Sequence, residues 1–403
     1  MTLQAMPQPP REDRSKKIFQ LYYFLSYVGI ASLYPYLSIF FQEHGRSDTQ
    51  IGLIFAVASI GGVLAQPVLG LLADRASDYR RILALSVGLS PLIALGYFFS
   101  PTYWLLLVTA LALSVVQSIA TPLSDAVTAE LSGVHTFTFG QVRLWGSLGF
   151  ALATALGGYL YSRVGYGAGF LAFPAVSALI VACLPFLPKK RAVLARGESI
   201  RQNVRALRAN RALLTFIALA FLVAVASAVN GQLFPLYYAA MHYDLQYLGL
   251  VFMIAAVIEI PLFRLSGSLL RQVGPGALIV ISAFTYTAKW GILALGPPLW
   301  VVFAVQILDG IAYTFMTVGA VELIQVIGTP GLKSTGQSLY SAVNWSLSGI
   351  VGSIGGGYLF DHIGPAQTYL VLTFLSGSAG VGLVIYRFRM AARLGRSATE
   401  SPG

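Results

Sequence analysis

Three acids and two bases stand inside long apolar stretches of this sequence. Asp125 lies in TPLSDA and Arg143 in FGQVRLWGSLGF, while Glu259, Lys289 and Asp309 lie further along the chain. A charged side chain at the centre of a membrane-spanning helix costs about 2.5–3.5 kcal/mol on insertion scales, so each of these residues needs a reason to be there. The chemistries open to them are the binding of a polar solute, the exchange of a proton and the pairing of charges between helices.

Asp125 and Arg143 are predicted to contact each other. Arg143 opens an apolar run that extends to Ser162, and Asp125 stands near the same end of the preceding span. Opposite charges at similar depth lower each other's cost, and a guanidinium can bind a carboxylate or a pair of hydroxyls through two hydrogen bonds. The pair is interpreted either as a structural link between two spans or as part of a substrate site.

Glu259, Lys289 and Asp309 all fall near the middle of their spans. Two acids and one amine cannot all be ionised comfortably in a medium of low dielectric constant, so one acid is expected to hold a proton. This is what a proton-coupling site requires. The alternative interpretation is a static set of charge pairs.

These residues must be positioned by membrane-spanning helices. Of the 403 residues, 56% are hydrophobic and only 10% are charged, whereas a soluble domain carries about 25% charged residues. Charge-free stretches of span length recur, and they lack the alternation of barrel strands. The predicted fold class is an all-α polytopic membrane protein with twelve transmembrane helices in two pseudo-symmetric halves. The spans are placed near 18–42, 50–73, 80–99, 102–131, 137–163, 166–187, 211–241, 245–270, 275–296, 299–327, 335–360 and 365–387.

The net charge of +11 follows membrane topology. Most of the 26 lysines and arginines fall in segments that are cytoplasmic when the N-terminus is inside, which is the positive-inside pattern. Both termini are therefore predicted to be cytoplasmic, the location is the cell (inner) membrane, and no nucleic-acid partner is expected. The single cysteine, Cys183, excludes a disulfide or a cysteine metal site within the chain.

The two halves of the chain are related in sequence. GGYLYSRVG at 157–165 is similar to GGYLFDHIG at 356–364, and IGLIFAV at 51–57 is similar to LGLVFMI at 248–254. Such repeats are typical of secondary transporters, whose site lies between the halves. The linker is either an amphipathic surface helix or a solvated connection. The predicted organisation is a disordered cytoplasmic tail at 1–17, a six-helix half at 18–187, a cytoplasmic linker at 188–210, a second six-helix half at 211–389 and a cytoplasmic tail at 390–403.

The loop after the second span, GLLADRASDYRR, resembles a signature of the major facilitator superfamily. The usual second glycine of that signature is absent. We expect a cytoplasmic charge network here that holds one gate state, although a plain basic loop is the alternative. The residues that match are Gly70, Asp74, Arg75, Arg80 and Arg81.

Nearly the whole chain resembles the phenylpropionate permease family and its relatives, the lactose permease and the nucleoside:proton symporters. The resemblance rests on the segments around Asp125 and Arg143 and on VIEIPLFRLSG, AKWGILA, VQILDGIAYTF and LYSAVNW. In the lactose permease group the acid and the arginine stand eighteen residues apart and bind the sugar, and Asp125 and Arg143 have that separation. The family often has Arg where Lys289 stands and His where Asp309 stands, so a proton site built on that histidine does not carry over.

Further polar and aromatic residues complete the predicted substrate site. Tyr27 and Asn230 lie in spans one and seven, which line the cavity in this superfamily, and Trp145 closely follows Arg143. Tyr340 and Asn344 share one helical face of span eleven. Aromatic rings offer a flat apolar surface with a polar edge, which suits a sugar ring or an aromatic acid. The alternative for each residue is packing between helices.

The sequence thus predicts a secondary active transporter that works by alternating access. It would import a small organic solute of the aromatic-acid, sugar or nucleoside class together with a proton, the inferred coupling ion. A proton-driven exporter is the alternative, disfavoured because span five contains no proline, and a non-transporting receptor fits the buried charges less well. No enzyme motif, cofactor or metal site is expected. The partners are the solute and the lipid bilayer, and a monomer suffices.

Overall fold

The computed structural model describes residues 14–75, 78–99, 102–132, 137–189, 210–328 and 333–399, with side chains except at 14, 66–68, 70–75, 132, 166, 334 and 391–399. The predicted tail at 1–17 and linker at 188–210 therefore lie almost wholly outside the described residues. Helices and short turns make up all of the regular structure in the described part of the chain.

Six helical segments form the N-terminal half. The first bends at the 3-10 turn Tyr34–Tyr36, where Pro35 lacks the N–H needed to continue an α-helix. The segments are α1 (Arg14–Leu33, continued by Leu37–Glu43), α2 (Asp48–Arg75), α3 (Tyr79–Phe99), α4 (Tyr103–Gln117 and Ala120–Ser132), α5 (Phe139–Val164) and α6 (Gly169–Cys183).

Six more segments form the C-terminal half, and α11 contains a π-helical turn at Ala342–Leu347. The segments are α7 (Arg211–Ala240), α8 (Leu248–Val273), α9 (Pro275–Ala294), α10 (Leu299–Ile327), α11 (Lys333–Ser341, the π turn and Ser348–Ile363) and α12 (Pro365–Thr399). The segment predicted as a cytoplasmic tail from 390 continues α12 as helix to Thr399. A charged sequence ends an apolar span, but it does not end a helix.

Ten helical stretches in the described ranges are long and apolar enough to cross a membrane. The two spans that do not meet this measure are α5 and α11. Both are rich in glycine and hydroxyl residues, which lower hydropathy while they permit helices to approach closely. The twelve-helix fold predicted from the sequence is thus the fold of the chain.

The two halves meet mainly through two helix pairs, α2 with α11 and α5 with α8, and α7 makes further contacts with α1 and α2. The contacts are closest at the end of the bundle opposite the chain termini, which we call the distal end. A Cβ atom on Gly249 would lie 1.8 Å from the carbonyl oxygen of Thr154, and one on Gly52 would lie 2.2 Å from that of Ser353. No side chain fits at either position, so glycine is what allows the halves to close there.

A carboxylate from one half caps a helix of the other at the distal end. Asp361, at the end of α11, accepts hydrogen bonds from the backbone N–H groups of Asp48 at 3.1 Å and Thr49 at 2.8 Å. These N–H groups have no partner within α2, because the first turn of a helix leaves its donors free. Burial raises the pKa of Asp361, but the hydrogen bonds from Thr49 and Asp48 outweigh it and lower the pKa overall. The cap is therefore ionised at neutral pH.

We expect Asp361→Ala to open the distal end. Hydrogen bonds to a charged group contribute about 1.5–3 kcal/mol, so the closing equilibrium should weaken about tenfold or more. The measurement is the rate of maleimide labelling of a cysteine placed at Ser59, which lines the space between the halves, in a background with Cys183→Ala. His362→Ala is the matched control, because the hydrogen bond described for the His362 ring is with the backbone carbonyl of Tyr358 in the same helix. Equal labelling rates in the two variants would contradict this role of Asp361.

Candidate functional site

Lys289 and Asp309 form a buried ion pair between α9 and α10. The Nζ atom of Lys289 lies 2.6 Å from Oδ1 of Asp309. Lys289 is completely buried, whereas the Asp309 side chain retains 24% of its exposure. A buried amine is tolerable only beside an opposite charge. The charge of Lys289 is therefore committed to Asp309 and is not free to bind a substrate carboxylate.

Glu259 of α8 lies between this pair and the N-terminal half. It is half-buried and within electrostatic range of both Asp309 and Arg143. Among the residues that the structure describes, no cation lies within 4 Å of its carboxylate. The three residues predicted as a coupling site thus lie in one neighbourhood, but Glu259 is the acid that lacks a direct partner.

Arg143 of α5 contacts an aromatic ring. Its guanidinium carbon lies 4.2 Å from the ring centroid of Tyr27, a cation–π distance. Gly146 makes this possible, since a Cβ there would lie 2.7 Å from the Tyr27 ring and 3.1 Å from the guanidinium. Tyr27 also lines a cavity of about 280 Å³ within the N-terminal half, among α1, α3, α4 and α6.

The expected direct pair of Asp125 with Arg143 is not formed in this structure. Asp125 accepts a hydrogen bond of 2.7 Å from the hydroxyl of Tyr23 instead, and it remains within electrostatic range of Arg143. Each residue is held by a tyrosine of α1. Their polar ends are therefore placed side by side along α1, with hydrogen-bonding capacity left over for a ligand.

Two residues predicted in the substrate site point elsewhere. Trp145 is exposed on the face of α5 that carries Leu148, Leu152 and Leu156. Positions two apart on a helix point in roughly opposite directions, so Trp145 cannot share the environment of Arg143. Asn230 accepts a hydrogen bond of 3.0 Å from Tyr369 and so attaches α7 to α12. The structure thus gives Trp145 an exposed position and Asn230 a partner in α12, and it does not bring either side chain into contact with Asp125 or Arg143 among the described contacts.

A cavity of about 360 Å³ opens in the C-terminal half among α7, α10 and α11. Tyr340 and Asn344 line it, as the shared helical face predicts, although Tyr340 is buried and stacks on Phe216. Sequence reasoning missed other residues that line this cavity. These are mainly Gln232, Tyr313 and Trp345. The only signal for Trp345 was its place in the segment LYSAVNW. No residue pattern in the sequence predicts the π turn in which it lies.

The loop between α2 and α3 is anchored within its own half. Arg80 hydrogen-bonds Asp78 through Nε and Nη2, at 2.8–3.1 Å, and donates through Nη1 to the carbonyls of Pro185 and Leu187. The bonds from Arg80 lower the pKa of Asp78 and keep the carboxylate ionised. Arg81 is exposed. The side chains of Gly70, Asp74 and Arg75 lie outside the described residues, so the predicted gate network remains a prediction.

Comparison with known proteins places this architecture in a family. Residues 17–371 match the MFS_1 like family. A maltose permease of Geobacillus stearothermophilus is 30% identical over 92% of this chain and 93% of its own length. A probable 3-phenylpropionic acid transporter of Escherichia coli (strain K12) is 26% identical over 87% of this chain and 93% of its own length.

Solved structures confirm the fold. A crystal structure of a mutant form of the nucleoside transporter NupG superposes with a TM-score of 0.83 at 16% identity, over 92% of this chain and 99% of that one. At this identity the likeness concerns the fold alone. Together with the family match, it shows that the chain belongs to the MFS_1 like family and is a multi-pass membrane transporter of the major facilitator superfamily, not an enzyme.

Proposed function

We propose that this protein imports a small, uncharged sugar together with a proton. The observation that carries the sugar class is the charge balance of the site. Lys289 is neutralised by Asp309, and Arg143 lies within electrostatic range of two acids, Asp125 and Glu259. No cation among these five residues is left in excess for a carboxylate substrate. A neutral solute with many hydroxyls suits such a site, since carboxylates accept and guanidinium donates hydrogen bonds.

The relatives support this choice over an aromatic acid. The maltose permease shares more identity with this chain than the probable 3-phenylpropionic acid transporter does. We therefore assign Arg143, Asp125 and Tyr27 to the sugar in the N-terminal half, and Tyr340 and Asn344 to its surroundings in the C-terminal half. The protein would act as a monomer in the inner membrane, with both termini cytoplasmic.

We assign the transported proton to Glu259. Protonating Asp309 would leave Lys289 as a buried cation without a partner, which costs several kcal/mol. Protonating Glu259 leaves no such charge. Glu259 and Arg143 belong to α8 and α5, one of the two main helix pairs that join the halves. An ionised Glu259 attracts Arg143 across this interface and a neutral one does not, so the proton biases the movement of the halves.

Proton movement in proteoliposomes tests the proposal. Purified protein is reconstituted with an external pH dye, and maltose, 3-phenylpropionate and a nucleoside are added separately. Alkalinisation outside on adding maltose is expected. Alkalinisation only with 3-phenylpropionate would overturn the sugar assignment, and acidification would indicate an exporter. Maltose entry without any pH change would overturn proton coupling.

Arg143→Ala should abolish most maltose uptake. The guanidinium provides hydrogen bonds and a fixed charge that no neighbouring residue replaces. In Arg143→Lys the rate of maltose uptake should also fall about tenfold or more, because lysine lacks the planar guanidinium group that donates two parallel hydrogen bonds. Arg264→Ala, which removes an exposed arginine of α8, is the matched control. Initial rates of radiolabelled maltose uptake, corrected for the amount of protein, provide the comparison. Wild-type rates in Arg143→Ala would refute its role in binding.

A further inference from the structure

The π turn of α11 contains two adjacent residues that line one cavity. The backbone N–H of Ser348 bonds to the carbonyl of Val343, five residues earlier, where an α-helix would bond to the fourth. The wider turn reduces the angle between successive side chains. Asn344 and Trp345 both lie in this turn, and both line the cavity of the C-terminal half. Such turns are rare and occur often at functional sites.

Trp345 presents an aromatic surface to this cavity. The side chain is 60% exposed, and the ring is supported from one side by Tyr313, whose centroid lies 6.3 Å away at an interplanar angle of 68°. Tyr313 in turn makes an edge contact of 6.3 Å with Phe263. The indole thus lines the cavity and is supported on one side by Tyr313.

Hydrogen-bonding groups line the same cavity as the indole. The Oε1 atom of Gln337 is buried and has no hydrogen-bond partner among the described residues, and Gln337, Ser341 and Asn344 line the same cavity. A buried acceptor without a donor costs about 1–3 kcal/mol. A hydroxyl group in the cavity would supply that donor. None of the described residues lining the cavity is charged.

We propose that Trp345 is the stacking platform for one ring of the transported sugar. The C–H face of a pyranose ring would lie on the indole, and its hydroxyls would reach Gln337 and Asn344. The inference rests on the proposed function and adds to it a residue that determines specificity for ring-shaped solutes. Trp145, two residues from Arg143, has no such role because it lies on the opposite face of its helix.

Calorimetric titration of purified protein with maltose tests this assignment. Trp345→Ala should weaken maltose binding about tenfold or more, whereas Trp345→Phe keeps an aromatic face and should lose less than about threefold. Trp145→Ala is the matched control and should bind as the wild type does. At saturating maltose, Trp345→Ala should still alkalinise the medium outside proteoliposomes, because stacking is separate from proton coupling. Trp345→Leu, which keeps apolar volume, replaces the alanine variant if that variant does not fold.

The outcomes separate the two proposals. Unchanged maltose affinity in Trp345→Ala, with maltose-driven alkalinisation present in the wild type, would overturn the stacking role and leave sugar symport intact. Equal losses in Trp345→Phe and Trp345→Ala, with lowered thermal stability in both, would show a structural role and also overturn the assignment. A wild type that neither binds maltose nor moves protons with it would overturn the proposed function itself and the stacking assignment with it.

Discussion

Asp309→Ala is expected to destabilise the protein by about 3–5 kcal/mol, because it leaves a buried charge without its partner. Lys289 is completely buried, and its described ion pair is the contact of 2.6 Å with Asp309. The amine cannot move to water from a fully buried position, so it must either stay charged at high cost or lose its proton. Reversible unfolding of the purified protein in mixed detergent would measure the loss.

Lys289→Met combined with Asp309→Ala is the matched control. Removing both charges removes the penalty, and replacing a buried ion pair by apolar groups is often neutral or stabilising. The double variant should therefore recover most of the stability lost in Asp309→Ala, and a double-mutant cycle would give the coupling energy of the pair. A double variant as unstable as the single one would show that Asp309 stabilises the fold through other contacts.

Glu259→Gln should abolish uphill accumulation of the sugar while it preserves exchange. A proton crossing a membrane potential of about 100 mV supplies about 2.3 kcal/mol, which supports a concentration ratio of about 50-fold. Glutamine resembles the protonated acid but cannot release a proton. The variant should thus let sugar equilibrate across the membrane and exchange with sugar on the other side. The proton gradient should no longer drive accumulation of the sugar.

Accumulation and counterflow of radiolabelled maltose, measured in the same proteoliposomes, distinguish coupling from binding. Glu322→Gln is the control, since it removes an exposed acid of α10 and should accumulate sugar as the wild type does. If Glu259→Gln still concentrates maltose in response to a pH gradient, Glu259 is not the coupling acid. If it loses counterflow as well, the residue binds sugar instead of carrying the proton.

The amino-acid sequence by itself determined the class and the plan of this protein. Apolar runs of span length can satisfy their backbone in lipid only as helices, and the repeated segments around Gly158 and Gly357 reveal two related halves. The charges that cost most to bury, such as Lys289 and Asp309, lie in the region where we propose that the proton is carried, and a charge inside a membrane span is by default a candidate for a functional role. These inferences depend on how a lipid bilayer treats apolar and charged residues and on the order of those residues along the chain, which can be read from the sequence directly.

Only the tertiary structure decided which side chains meet. Spacing alone predicted Trp145 in the site, whereas in the structure it is exposed beside Leu148 and Leu152. The aromatic ring that we propose as the stacking surface is Trp345, in the π turn of α11. The structure also showed Asp125 and Arg143 held by different tyrosines of α1, and Asp361 capping a helix of the other half. A rotation of one residue position, about 100°, changes the neighbours of a helical side chain completely. That rotation is set by packing between distant segments, which the order of residues along one helix does not specify.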